Sequence, residues 1–200
     1  MPKPYTEKER QYITDKLKKE AGDCLKKYGV KKTTVDELVK RAGIPKGTFY
    51  LFYRSKEELL LQVINEWQSE LHDELLKKAE ILKGSISAYG LTELLFDIYN
   101  KVDRSGFIEL LTEGEIDLLM RKLSDDMLIE HLRQDDFSME KLLSFFTKES
   151  LQEEKIKVYS AALRAVFLSM KYKREIGDDC FNQAIWVLLH GVSTQIIQGD

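Results

Sequence analysis

The sequence predicts an all-α protein, and three observations predict it. Eleven Gly and three Pro make only fourteen of 200 residues, too few turn-formers for a sandwich or barrel of many short strands. Apolar residues recur at steps of three and four along most of the chain. Ser or Thr stands three residues before Glu at four stripe heads, as Thr6 with Glu9, Thr34 with Glu37, Ser55 with Glu58 and Ser150 with Glu153. Each such pair is a capping box, in which two otherwise orphaned helix-start donors are satisfied. With 43% apolar and 32% charged residues, the composition suits a soluble globular protein and argues against disorder.

The first helix is predicted over 6–28, with Ile13, Leu17, Ala21, Cys24, Leu25 and Tyr28 as its stripe and Gly29 as its left-handed stop. A short second helix carries Val35, Leu38, Val39 and Ala42 and ends at Gly43. Only Gly43, Ile44 and Pro45 separate it from a third short segment over 46–53. Two short helices joined by a three-residue turn with Gly form a helix-turn-helix pattern. A fourth helix starts after Ser55 and continues to about residue 82, with Leu59, Leu60, Val63, Ile64, Trp67, Leu71 and Leu75 as its stripe. Beyond Gly84 the periodicity predicts helices over 91–102, over 107–123 with a break near Gly114, over 127–132, over 139–146, over 151–172 and over 179–197. No internal repeat and no Pro/Gly/Ser linker interrupts the chain. The predicted domains are 1–55, a helix-turn-helix domain, and 56–200, a helical domain bridged to it by the fourth helix.

The third segment has an unusual outer face. Phe49 and Tyr53, four apart, turn inward, which leaves Gly47, Thr48, Tyr50 and Leu51 pointing away. Gly, Thr, Tyr and Leu are odd on a solvated surface and reasonable on one that enters a DNA groove. Gly47 costs about 1 kcal/mol in a helix relative to Ala, a cost justified where another molecule approaches the backbone closely. Lys46 can reach a guanine edge or a phosphate. Tyr50 can donate its phenol to a phosphate, Thr34 sits at a helix start that favours anions, and Lys56 adds a point charge. Those contacts position the protein, while Lys46, Thr48 and Leu51 would read bases.

Charge supports the same assignment. Residues 1–60 hold 15 Lys and Arg against 9 Asp and Glu, a net of +6; residues 61–200 hold 16 against 25, a net of −9. A basic front on an acidic remainder predicts that the front meets a polyanion.

The run from Thr34 to Leu59 resembles the DNA-binding signature of TetR-family repressors, Ala-Gly-x-x-x-Gly-Thr-x-Tyr-x-x-Phe-x-Ser-Lys-Glu-x-Leu. Ala42, Gly43, Gly47, Thr48, Tyr50, Ser55, Lys56, Glu57 and Leu59 match it. One departure is Tyr53, where the family has Phe; a phenol enters a position expected to be interior. Phe52, where the family often has Tyr or His, has no hydrogen bond to offer a phosphate.

The resemblance implies a homodimer that binds palindromic double-stranded DNA and responds to a small molecule, acting as a repressor. It implies that the last two long helices form a four-helix interface with a second copy, through Tyr159, Leu163, Val166, Phe167, Ile185, Leu188, Val192 and Ile196. It also implies an effector pocket in the second domain. Trp67, Phe96, Tyr99, Phe107, Phe146, Trp186 and His190 are its candidate lining, and an apolar or aromatic effector is expected. Periodicity alone leaves open that these helices and aromatics are ordinary core. A helical adaptor that grips a protein partner instead of DNA is the alternative reading.

Several classes are not expected. There is no Gly-x-Gly-x-x-Gly, no Gly-x-x-x-x-Gly-Lys, no His-Glu-x-x-His and no Gly-x-Ser-x-Gly, so neither an enzyme nor a cofactor is expected. Glu113, Glu115 and Asp117 do not converge on one helix face, and no metal site is expected. Cys24 and Cys180 are far apart in sequence. Together with no apolar run near the ~18 residues of a membrane span and no signal-peptide core after Met1, they predict a cytoplasmic protein.

Overall fold

The computed structural model describes residues 5–84, 86–105, 114–122, 126, 129, 133, 140–145 and 153–198. Among them every regular element is helical. Phe107, His131 and Phe146, the 107–113 part of the helix expected over 107–123 and most of the one expected over 127–132 lie outside the described residues.

The chain divides into two compact units. The first comprises Met1–Gln68 together with Glu113–Ser124, the second Ser69–Thr112 with Asp125–Asp200. Compact packing therefore divides the chain differently from a single cut after residue 55.

In the first unit, helix α1 spans Glu7–Lys32. Its capping box is complete: the Thr6 hydroxyl accepts from the Glu9 N–H at 3.3 Å, and the Glu9 carboxylate accepts from the Thr6 N–H at 2.8 Å. Ile13, Leu17, Ala21, Cys24 and Leu25 are buried, and Tyr28 is half-buried. Gly29 interrupts the helix at φ 72, ψ −177, a backbone conformation essentially restricted to glycine. A last turn continues past it to Thr33, whose hydroxyl donates to the Gly29 carbonyl at 2.6 Å.

Helix α2 spans Val35–Ala42, capped by Thr34 at its start and by Gly43 at φ 65, ψ 36 at its end. Pro45 leads into helix α3, Lys46–Phe49. This is shorter than the 46–53 expected: after Phe49 the backbone continues as turns, with Leu51 N–H on the Thr48 carbonyl and Phe52 N–H on the Phe49 carbonyl. Helix α4, Lys56–Ile81, opens with the Glu58 N–H donating to the Ser55 hydroxyl at 3.2 Å. Leu17, Leu25, Leu38, Phe49, Leu59 and Leu60 make the centre of this unit, each fully buried. The later segment contributes helix α5, Glu115–Met120, which packs on α1 and buries Leu119.

In the second unit, helix α6 spans Ala88–Asp103 with Ser87 as its cap. Helix α7 spans Glu153–Ser169. The helix expected over 151–172 does not run through: a 3-10 turn occupies Met170–Tyr172, and helix α8 covers Lys173–Ile176 before Gly177 at φ 131. Helix α9, Phe181–Gln198, packs against both α6 and α7. Leu91, Leu95 and Tyr99 of α6 and Phe181, Ile185 and Leu189 of α9 are buried in this unit.

Candidate nucleic-acid interface

The helix-turn-helix presents α3 on a rigid support. Phe49 is fully buried and meets the buried ring of Tyr53 at 5.8 Å. Burial pushes the Tyr53 phenol up to about 12. With that side anchored, Tyr50 is 53% and Leu51 62% exposed. At Gly47 a Cβ would meet nothing within 4 Å, and its φ is not in the left-handed region. The fold itself therefore makes no demand for glycine there.

Thr48 is a correction. Expected outward for base reading, it is only 7% exposed, and its hydroxyl is 3.2 Å from the Tyr5 hydroxyl. The start of the chain explains this, since Tyr5 returns to cover that side of α3. The Tyr5 ring lies 6.2 Å from Phe52, and the Arg10 guanidinium stacks over Phe52 at 4.9 Å. The start of the chain thus braces the segment after α3. Tyr5 and Arg10 gave no sequence signal, because an isolated Tyr and Arg match no periodic pattern.

Lys56 is a second correction. Its half-buried ammonium donates to the carbonyls of Val30 at 2.6 Å and Thr33 at 2.5 Å, closing the end of α1. Burial pulls its pKa below the ordinary lysine value. These contacts tie Lys56 to the fold, where a free phosphate ligand was expected. Beside it, the buried Glu57 pairs with Lys122 at 3.0 Å, and the Glu115 carboxylate accepts from the Lys31 N–H at 2.6 Å. Sequence alone gave no hint that residues near 115–122 complete this unit.

Thr34 is exposed, and its hydroxyl accepts from the Glu37 N–H at 3.2 Å. Lys46 is also exposed, but it is paired with Asp36, as detailed below. Lys16, not singled out by periodicity, brings its ammonium to 3.6 Å from where a Gly43 Cβ would stand.

Trp67 belongs to the first unit. In the second, Phe96 meets Trp186 edge-on at 5.2 Å and stacks on Tyr99 at 5.6 Å, while Tyr89 meets Trp186 at 5.4 Å. Tyr99 is fully buried and its hydroxyl has no partner among the described residues. Burial pushes that phenol up to about 12. His190 is a correction: it is exposed, not interior, with Nδ1 3.0 Å from the Thr92 hydroxyl. Thr92 already donates to the Ala88 carbonyl at 2.7 Å, so His190 is the donor and carries its proton on Nδ1. An open groove of about 480 Å³ is lined by Lys78, Ile81, Leu82, Ile86, Leu94 and Asp97, with none of the expected aromatics.

The expected self-association residues also need correcting. Leu163, Val166, Ile185 and Ile196 are buried within one chain, where they pack α7, α9 and α6 together, so they are not free to meet a second copy. Tyr159, Phe167 and Val192 are half-buried and Leu188 is exposed. Large apolar side chains exposed on these helices include Val158 and Leu168 on α7 and Val187 and Leu188 on α9.

A short helix, a glycine turn and a second short helix, with Gly47, Tyr50 and Leu51 outward, form a helix-turn-helix. Residues 19–63 match the family model for bacterial regulatory proteins of the tetR family. A TetR-family transcriptional regulator from Pectobacterium atrosepticum superposes with a TM-score of 0.70 at 15% identity, over 98% of this chain and 97% of that one. The fatty acid degradation regulator FadR from Bacillus halodurans does so with a TM-score of 0.59 at 17% identity, over 93% and 98%. The transcriptional regulator FadR from Bacillus subtilis, in complex with stearoyl-CoA, gives 0.54 at 17% identity, over 95% and 98%. At these identities the likeness is one of fold. No curated protein sequence matches the chain. Residues 19–63 are thus similar to the DNA-binding module of the tetR family, and the chain as a whole shares the fold of these regulators. No described helix is long and apolar enough to cross a membrane.

Proposed function

We propose that the chain acts as a homodimeric repressor that binds a palindromic operator through α3 and is released by a small molecule, working by binding and not by catalysis. The observation that carries the DNA reading is the surface at Gly47, Tyr50 and Leu51: exposed, uncovered at the glycine, and held from behind by Phe49 and Tyr53. Bare backbone at Gly47 lets α3 approach a groove closely, and Tyr50 is free to donate to a phosphate. Val158, Leu168, Val187 and Leu188 are exposed apolar side chains on two packed helices, and a second copy of the same surface would cover them. Two recognition helices would then read half-sites about one helical turn apart, roughly 34 Å.

Tyr99 supports the effector reading. A buried hydroxyl without a partner costs about 1–3 kcal/mol, and an effector offering an acceptor among Phe96, Tyr99 and Trp186 would recover it. The effector acts only if it binds the released and DNA-bound states with different affinity.

The test is selection of random DNA fragments by the purified chain at near-physiological salt, followed by release trials. Stearoyl-CoA, the ligand of the Bacillus subtilis protein of similar fold, is the first compound to try. A recovered palindrome, with binding lowered in Tyr50→Ala, is the expected result. A folded chain that enriches no sequence and co-purifies with no small molecule refutes the reading and favours a protein-binding adaptor.

A further inference from the structure

The inference concerns Asp36 and rests on the DNA-binding reading above. Asp36 lies in the first turn of α2, where the helix dipole favours an acid. Lys46 is the first residue of α3. The turn between the two helices brings them together: the Lys46 ammonium is 2.9 Å from one Asp36 carboxylate oxygen and 3.1 Å from the other. Both side chains are open to solvent, Lys46 at 51% and Asp36 at 74%.

An ion pair this exposed contributes little to stability, so the fold does not account for it. On a surface that meets a polyanion, Asp36 is a liability. It repels phosphates and cancels the one positive charge at the head of the recognition helix. Its gain lies in direction. A free lysine is a flexible point charge that settles on the nearest phosphate, and phosphate contacts carry no sequence information. A lysine held on both oxygens of a carboxylate keeps one N–H to spare and points it one way. Lysine donating to the O6/N7 edge of a guanine is a sequence-specific contact, and one N–H is enough to make it. The neighbouring cations do not share this arrangement: Lys56 is committed to the Val30 and Thr33 carbonyls, and Lys16 stands beside Gly43.

We propose that Asp36 is a specificity-determining residue of the DNA interface: by pairing with Lys46 it withholds that ammonium from phosphate and reserves it for a guanine edge. Asp36 touches no base itself and acts through Lys46.

The test uses the full chain and Asp36→Asn, which conserves size on an exposed site and leaves the fold intact by circular dichroism. Two probes are titrated across salt, a duplex recovered by selection and a random-sequence duplex pool of equal length. The variant is expected to bind the random pool several-fold tighter. Its log–log salt slope should steepen by about 0.9, the signature of one added phosphate contact. The ratio of selected to random affinity should fall about tenfold. In a Lys46→Met background the same Asp36→Asn change should leave the slope unaltered. An unchanged ratio and slope, or an equal loss on both probes, overturns the role of Asp36 while the DNA reading stands. A wild-type chain that binds neither probe overturns the DNA reading, and this proposal with it.

Discussion

Replacing Gly29 by Ala tests the junction at the end of α1. The backbone there has φ 72 and ψ −177, and holding a side chain in that region costs about 1–3 kcal/mol. The added methyl would also stand 3.1 Å from the Glu115 carboxylate carbon and from one of its oxygens. That carboxylate must move, loosening its 2.6 Å bond from the Lys31 N–H at a cost of about 1 kcal/mol. The sum is about 2–4 kcal/mol. For a unit of 80 residues, 68 from Met1–Gln68 and 12 from Glu113–Ser124, each kcal/mol lowers the midpoint by roughly 4–8 °C. A fall of about 8 °C or more is expected. The assay is thermal unfolding followed by fluorescence in a Trp186→Phe background, which leaves Trp67, a residue of this unit, as reporter. In a further Glu115→Ala background the alanine should cost less, because the crowding is gone. An unchanged midpoint for Gly29→Ala refutes the conformation assigned to Gly29. Equal cost in both backgrounds refutes the contact with Glu115.

Lys56→Met should destabilise the first unit by about 1–3 kcal/mol, since two carbonyls lose their shared donor; a drop of about 0.9 in the salt slope of DNA binding would instead show a phosphate ligand. Gly47→Ala should stabilise the unit by up to about 1 kcal/mol while weakening DNA binding, measured by melting and by titration; undiminished affinity would show that nothing approaches that backbone. Leu188→Glu should give monomers in sedimentation with little loss of stability, whereas Ile185→Ala should cost about 2–5 kcal/mol from within the chain. Burial alone would raise the Glu57 carboxyl, but the Lys122 hydrogen bond, a backbone N–H and the charges of Lys122 and Lys56 outweigh it and set its pKa below the ordinary value. Its stabilisation is present above the unfolded carboxylate pKa and is lost as pH falls through the lower folded one. Acid unfolding of Glu57→Gln should therefore show a shallower pH dependence, and an identical profile would remove Glu57 from the account.

Local signals carried most of the fold. The box at Thr6, the hydroxyl caps at Thr34 and Ser55, the stripes of α1, α2 and α4, and the stop at Gly43 are written in residues three or four apart, and the structure forms each, although the Glu37 carboxylate pairs with Arg41 and the Glu58 carboxylate accepts from the Arg54 N–H, so neither closes its box. What failed was non-local. Thr48 is buried because Tyr5 returns to it, Lys56 is occupied because two α1 carbonyls end nearby, and Lys46 is paired because the turn brings Asp36 around. None of these contacts has a period. Likewise the stripe of α9 marks Ile185 and Ile196 as buried, but a stripe does not say whether the covering surface comes from the same chain or another.

The first unit takes Glu113–Ser124 from far along the chain, and this sets an order of events during synthesis. When residue 68 has been made, Gly29 still lacks Glu115 beside it and Glu57 still lacks Lys122. Another 54 residues must follow before both have been made. At about 5–20 residues per second that is a wait of roughly 3–11 s. Through that interval the basic module exists as an incomplete core, with a buried-to-be carboxylate exposed and the last turn of α1 untied. A fragment cut at residue 68 would be held in that unfinished condition permanently, and the first unit is complete only in a chain long enough to carry residues 69–112 as well.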